Sequence, residues 1–134
     1  MTATRLRRFL DEVRTWAESQ PDIAAVVLVG SQARGQATPE SDVDLVILTT
    51  QPARYLQEPS WLERFGRPSR QMQEDWGRVI AVRVWYQGGL VVEFGITTPD
   101  WAQAPLNEGT RRVLDAGFVL VFDRGGKFAF LRQS

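Results

Sequence analysis

Apolar residues recur every three or four positions at the start of the chain: Leu6, Phe9, Leu10, Val13, Trp16 and Ala17 make one stripe, and arginines and acids fill the rest. That spacing predicts an amphipathic helix over residues 4–19, with Thr4 as candidate N-cap and Pro21 beyond its end. The pattern then changes period. Residues 24–30, AAVVLVG, run apolar without a break, as in a strand covered on both faces. SQARG follows, long enough for one or two helical turns, and the turn residues ATPES lead into a second strand, DVDLVIL, residues 42–48.

Residues 51–77 read less cleanly. Tyr55, Trp61, Leu62, Phe65 and Met72 give a helical pattern broken by Pro59 and by Gly66, Arg67 and Pro68, which predicts one or two helices with irregular links. RVIAVRVWY then alternates, and LVVEFGI after QGG completes a hairpin about Gly88 and Gly89. A short helix over residues 105–116 stopped by Gly117 and a last strand, FVLVF, residues 118–122, close the pattern. The expected class is α+β (α/β mixed): a single mixed sheet of about five strands with helices packed on it. With 134 residues, and no repeat or linker, the expectation is one domain over residues 1–134, with a catalytic core over about 24–96 and an insert over about 51–77.

Composition narrows the chemistry more than the charge does. Lysine plus arginine equals aspartate plus glutamate at 16 each, so no global field recruits nucleic acid or an anionic membrane, and nucleic acid is not indicated as a partner. Histidine and cysteine are both absent, which removes disulfides, thiolate nucleophiles, imidazole bases and the usual zinc sites. A metal here would be hard and oxygen-bound, so magnesium, or manganese, is the expectation. MTATRLRRFLDEV is charged too early for a secretory segment and no apolar run approaches membrane-spanning length, so the expected location is cytoplasmic.

Asp42 and Asp44 stand two apart at the mouth of the second strand, where residues share a face with α-carbons roughly 6.5 to 7 Å apart. Two carboxylates about 4 Å apart repel by about 4 kcal/mol at an effective dielectric of 20, and a divalent cation reverses that sign. Upstream, Gly30 ends the first strand and Ser31 opens a turn whose backbone N–H groups would favour an anion, with Arg34 as a further phosphate contact. An anion site beside a cation site suits a magnesium-bound triphosphate. DxD alone also occurs in solvated turns, calcium loops and sugar-nucleotide transferases, but no glutamate-terminated calcium loop follows, and a sugar-nucleotide enzyme leaves the upstream Gly-Ser unexplained.

Gly30-Ser31, a spacer of about ten residues and Asp42-Val43-Asp44 together resemble the signature of the DNA polymerase beta nucleotidyltransferase superfamily. GSQARG, SDVDL and the later VEFG are similar to motifs of small bacterial nucleotidyltransferase domains and aminoglycoside adenylyltransferases. The resemblance implies a polymerase-beta-like fold and two magnesium ions held by Asp42, Asp44 and Glu93, the last also activating the acceptor. It further implies a nucleoside triphosphate held by Gly30, Ser31 and Arg34, and transfer of a nucleoside monophosphate, AMP from ATP first among them, to a hydroxyl. Leu90, Val92, Phe94 and Ile96 alternate as one face and leave Glu93 on the other. The acceptor stays open between a small molecule of aminoglycoside type and a protein partner, and a homodimer or partner chain could complete its site. A non-catalytic nucleotide- or partner-binding module is the remaining alternative. Antibiotic-modifying relatives carry a helical acceptor domain after the core, whereas about forty residues follow Glu93 here.

Some residues read first as structure. Trp16 belongs to the helical stripe, while Trp61, Trp76 and Trp101 flank irregular parts and could line a pocket or a contact between copies. Lys127 beside the terminal glycines reads as a surface residue before it reads as a phosphate contact.

Overall fold

The computed structural model describes residues 2–38, 41–103 and 105–132. The first helix, α1 (Ala3–Glu18), starts one turn-residue earlier than its periodicity implies, because Thr2 rather than Thr4 caps it, its hydroxyl accepting from the Arg5 N–H at 3.1 Å. The strand β1 (Ile23–Val29), the short helix α2 (Gly30–Arg34) and the strand β2 (Val43–Thr49) follow in the expected order. A helix α3 (Pro52–Gln57) and a 3-10 segment, Pro59–Phe65, come next.

The rest of the segment 51–77 departs from the helical expectation. Pro68–Asp75 is a strand, β3, whose residues are nearly all exposed on both faces. Its sequence, PSRQMQED, carries no alternation for a reader to find, because ladder bonds to the next strand sustain it rather than burial. Met72, expected on a helical stripe, is an exposed strand residue. The chain continues through β4 (Ile80–Tyr86), β5 (Val91–Thr97), helix α4 (Glu108–Asp115) and β6 (Val119–Asp123).

The sheet is therefore mixed as expected, with six strands instead of about five, in the order β3-β4-β5-β2-β1-β6. Every neighbouring pair is antiparallel except β2 with β5. That single parallel pair sets Asp44 directly beside Glu93 in register.

Two apolar layers flank the sheet. On one face Phe9, Val13, Trp16, Tyr55, Leu62 and Phe65 pack on Val92, Phe94 and Ile96. Trp16 stacks on Trp61 at 5.2 Å between centroids, and Trp61 meets Phe94 edge-on at 4.9 Å, so both tryptophans are core anchors. On the other face Trp101, Leu114, Phe128 and Leu131 cover Val27, Val46 and Leu48. The Arg124 guanidinium pins the far end of the chain to the α1–β1 turn by donating to the carbonyls of Ile23, Ala17 and Gln20 at 2.9 to 3.0 Å. No helix among the described residues is long and apolar enough to cross a membrane.

Candidate active site

The Gly30 turn and the acids meet because of strand register. Val29, the last residue of β1, pairs with Asp44 of β2, so the chain leaves β1 directly against that carboxylate. Gly30 then takes φ +75, and a β-carbon built on it would run into the Asp44 carboxylate. Only glycine meets both conditions, the left-handed backbone and the close approach. Ser31 follows at the start of α2, half-buried, and Gly35 at φ 70 ends the helix.

Three acids and one arginine face each other above the sheet. Asp44 lies beside Glu93 across the parallel pair, and Arg83 of β4 lies opposite Glu93 on the other side. Arg83 sends one guanidinium nitrogen to Asp42 Oδ2 at 3.2 Å and another to Glu93 Oε2 at 3.5 Å. Among the described residues no such ion pair is made by Asp44. Burial, the charge of Glu93 and the hydrogen bond between the two, and the charge of Asp42 push its pKa up to about 6, against a smaller opposing pull from Arg83. Carboxylates crowded this way mark a place where negative charge has been concentrated beyond what the protein neutralises.

Asp42, Asp44 and Glu93 are thus brought to one face of the sheet, the first two by their spacing and Glu93 by the β2–β5 register. Among the described residues no three acids close into a metal cage, since Arg83 spans the outer two. Arg34 stands at the other end of α2 from Gly30, its stem against Gly117 and its Nε donating to Gln36 at 3.3 Å. Arg83 is the residue that sequence reasoning missed. Its signal was available, because Val82, Val84 and Tyr86 are buried and the residue between the first two must share the Glu93 face.

A cavity of about 340 Å³ opens beside the acids on the same face. Asp44 and Glu93 border it at one end, and Trp76, Val79, Trp101 and Val113 form its walls.

A mixed sheet that sets a glycine-serine turn against a carboxylate pair, with a third acid on the adjacent parallel strand, defines a polymerase-beta-like nucleotidyltransferase fold. The sequence matches the nucleotidyltransferase domain family over residues 6–84, and the chain belongs to that family. The matched segment holds Gly30, Ser31, Asp42, Asp44 and Arg83 and stops short of Glu93. Solved structures of similar fold include an aminoglycoside 6-adenyltransferase from Bacillus subtilis, at TM-score 0.57 and 16% identity over 70% of this chain and 35% of that one. Cid1, in a structure that addresses its RNA terminal uridylyl transferase activity, aligns at TM-score 0.54 and 25% identity over 69% of this chain and 30% of its own. The polymerase core of TRAMP, an RNA surveillance complex, aligns at TM-score 0.54 and 15% identity over 69% and 30%. The chain spans about a third of the length of these structures. None of the curated proteins matches it in sequence.

Proposed function

We propose that the chain is a catalytic nucleotidyltransferase domain, 1–134, that moves a nucleoside monophosphate, AMP from ATP first among them, from a triphosphate to an acceptor hydroxyl. One observation carries the reading: Gly30 is bare where the Asp44 carboxylate approaches, so a phosphate-binding turn and the acid cluster share one small space. Hard carboxylate oxygens without histidine or cysteine suit magnesium or manganese, and the surplus negative charge at Asp44 is what such an ion relieves. Asp42, Asp44 and Glu93 would hold the metal, which supplies charge neutralisation on the triphosphate and a more acidic acceptor hydroxyl.

The remaining steps fall to the chain. Backbone N–H groups at Gly30 and Ser31, with the serine hydroxyl, orient the triphosphate, and Arg34 can join by exchanging its exposed bond to Gln36. Arg83 releases Asp42 and Glu93 as the substrate arrives, so that the acids are free to take the metal. Glu93 accepts the acceptor proton. The acceptor is a small alcohol or a hydroxyl on a partner protein, and either could be completed by a second copy of the chain.

A non-catalytic nucleotide-binding module is the second reading, and Arg83 is what favours it, since a permanent bridge to Asp42 and Glu93 would satisfy the acids without chemistry. A crystal structure with magnesium and a nonhydrolysable ATP analogue tests the first. Asp42, Asp44 and Glu93 should converge on metal while Arg83 swings away, whereas a nucleotide bound with Arg83 still bridging the acids favours the module.

A further inference from the structure

The cavity beside the acids has a composition that speaks to the acceptor. Trp76 stands 65% exposed at the tip of the β3–β4 hairpin, an unusual position for the largest apolar side chain. Its backbone is not loose, since its N–H donates to the Val79 carbonyl at 2.9 Å and Gly77 turns the chain at φ 87. Val113 of α4, which lines the same cavity, is also exposed at 38%, while Trp101 is buried in the wall. The floor depends on Gly95, where a β-carbon would lie 2.9 Å from Val79 Cγ1, so the bare glycine lets Val79 settle on the sheet.

Charge decides what such a space accepts. Among the described residues lining it, Asp44 and Glu93 are the acids, and both are committed to the reaction centre. Arg78 adds a cation, held by Asp100 at 3.7 Å. A polyamine sugar needs a carboxylate for each buried ammonium, and this lining offers it none to spare. Position decides the rest. The cavity reaches Val29 at the end of β1, beside the Gly30 turn, but its exposed aromatic wall, Trp76 with Val79 and Ala81, belongs to the β3–β4 side, with β2 and β5 between. In-line displacement puts the attacking oxygen opposite the leaving one, so a molecule in this cavity approaches from the acceptor side.

We infer that the cavity is the acceptor subsite and that it takes an uncharged, flat, largely apolar alcohol, its ring between Trp76 and Val113 and its hydroxyl toward Glu93. The inference rests on the transferase reading. In the step, the hydroxyl oxygen bonds to the α-phosphorus and the bond from that phosphorus to the α–β bridging oxygen breaks. Pyrophosphate leaves with the electron pair, and the hydroxyl proton passes to the Glu93 carboxylate.

The probe is 1-naphthylmethanol, followed first without nucleotide by tryptophan fluorescence. Wild type should bind it, Trp76→Ala should weaken binding roughly five- to tenfold, the stake of one aromatic contact, and Trp76→Phe should restore most of it. Kanamycin, a polycation, should not displace it. With magnesium and ATP, the alcohol should accelerate pyrophosphate release by wild type and yield its AMP ester by mass spectrometry. Trp76→Ala should keep wild-type ATP affinity in calorimetry. Loss of ATP affinity in Trp76→Ala would assign the cavity to the donor base and overturn the inference, as would displacement by kanamycin or no binding of the probe. Pyrophosphate release that the alcohol leaves unchanged removes the acceptor role alone. No release from any nucleoside triphosphate with any acceptor removes the transferase reading, and the acceptor role with it.

Discussion

At one end of the β1–β2 ladder, where Ile23 faces Thr49, the Asp22 carboxylate accepts from Thr49 Oγ1 at 2.7 Å and Tyr55 Oη at 2.6 Å and pairs with Arg54 at 2.8 Å. At the other end, where Val29 faces Asp44, a carboxylate of the same kind is set beside two more acids and a single shared arginine. Burial works to raise the pKa of both. At Asp22 the hydrogen bonds from Tyr55 and Thr49, its own backbone N–H and the Arg54 charge outweigh burial and hold the group below its ordinary 3.8. At Asp44 the neighbours add to burial and drive it up to about 6. One acid has partners that outweigh its burial, and the other has neighbours that add to it. The first pattern belongs to a joint in the fold, and the second is the one the proposed metal site calls for.

The sharpest way to break this contrast is Asp44→Asn. Transfer should fall by at least about 10³-fold, more than the loss of one oxyanion donor. The metal-free protein should nevertheless melt a few degrees higher, because the substitution relieves repulsion, a trade of stability against function that calorimetry and a pyrophosphate assay read together. Asp22→Ala should do the reverse. It leaves Tyr55 Oη and Thr49 Oγ1 without their acceptor at a cost of about 3 kcal/mol in urea unfolding, and the surviving folded fraction should transfer at the wild-type rate.

Arg83→Met comes next in size. Arg83 is 38% exposed, so its pairing is screened and its loss should lower metal-free stability by only about 1 kcal/mol. Manganese binding without nucleotide, measured by electron paramagnetic resonance, should tighten several-fold, since the competing guanidinium is gone. The smallest effect is the pH dependence. Asp22 has a depressed folded pKa, so its contribution is present above 3.8 and is lost as pH falls through the lower folded value. Asp44 has a raised one, so its penalty is present above about 6 and fades as pH falls through it. Urea unfolding from pH 3 to 8 should therefore show the Asp44→Asn advantage only at the high end and the Asp22→Ala deficit shrinking toward the low end.

Much of the site was legible because its geometry is local. Two residues apart on a strand means one face, and Gly-Ser at the end of an apolar run means a turn, so Gly30, Ser31, Asp42 and Asp44 could be grouped without coordinates. Glu93 could be given a face by its buried neighbours Val92 and Phe94, but its place beside Asp44 depends on β2 and β5 being parallel neighbours, a pairing between distant segments. The polar strand β3 could not be read, since neither of its faces is buried and hydrophobic period carries no message there. Arg83 was hidden for a different reason. Alternation assigned its face, yet its partners come from the end of β2 and from β5, and one sequence does not say which strands are adjacent. The cavity walls are assembled the same way, from a hairpin tip, a 3-10 turn and a helix.

In the proposed mechanism the acid cluster and the Gly30 turn form one reaction centre. Pyrophosphate release from ATP and magnesium by wild type and by the Asp42→Ala, Asp44→Ala double variant tests it most directly, with circular dichroism to verify the fold of each. Release by wild type and none above background by a folded double variant is the expected result, and wild-type release by that variant would contradict the account.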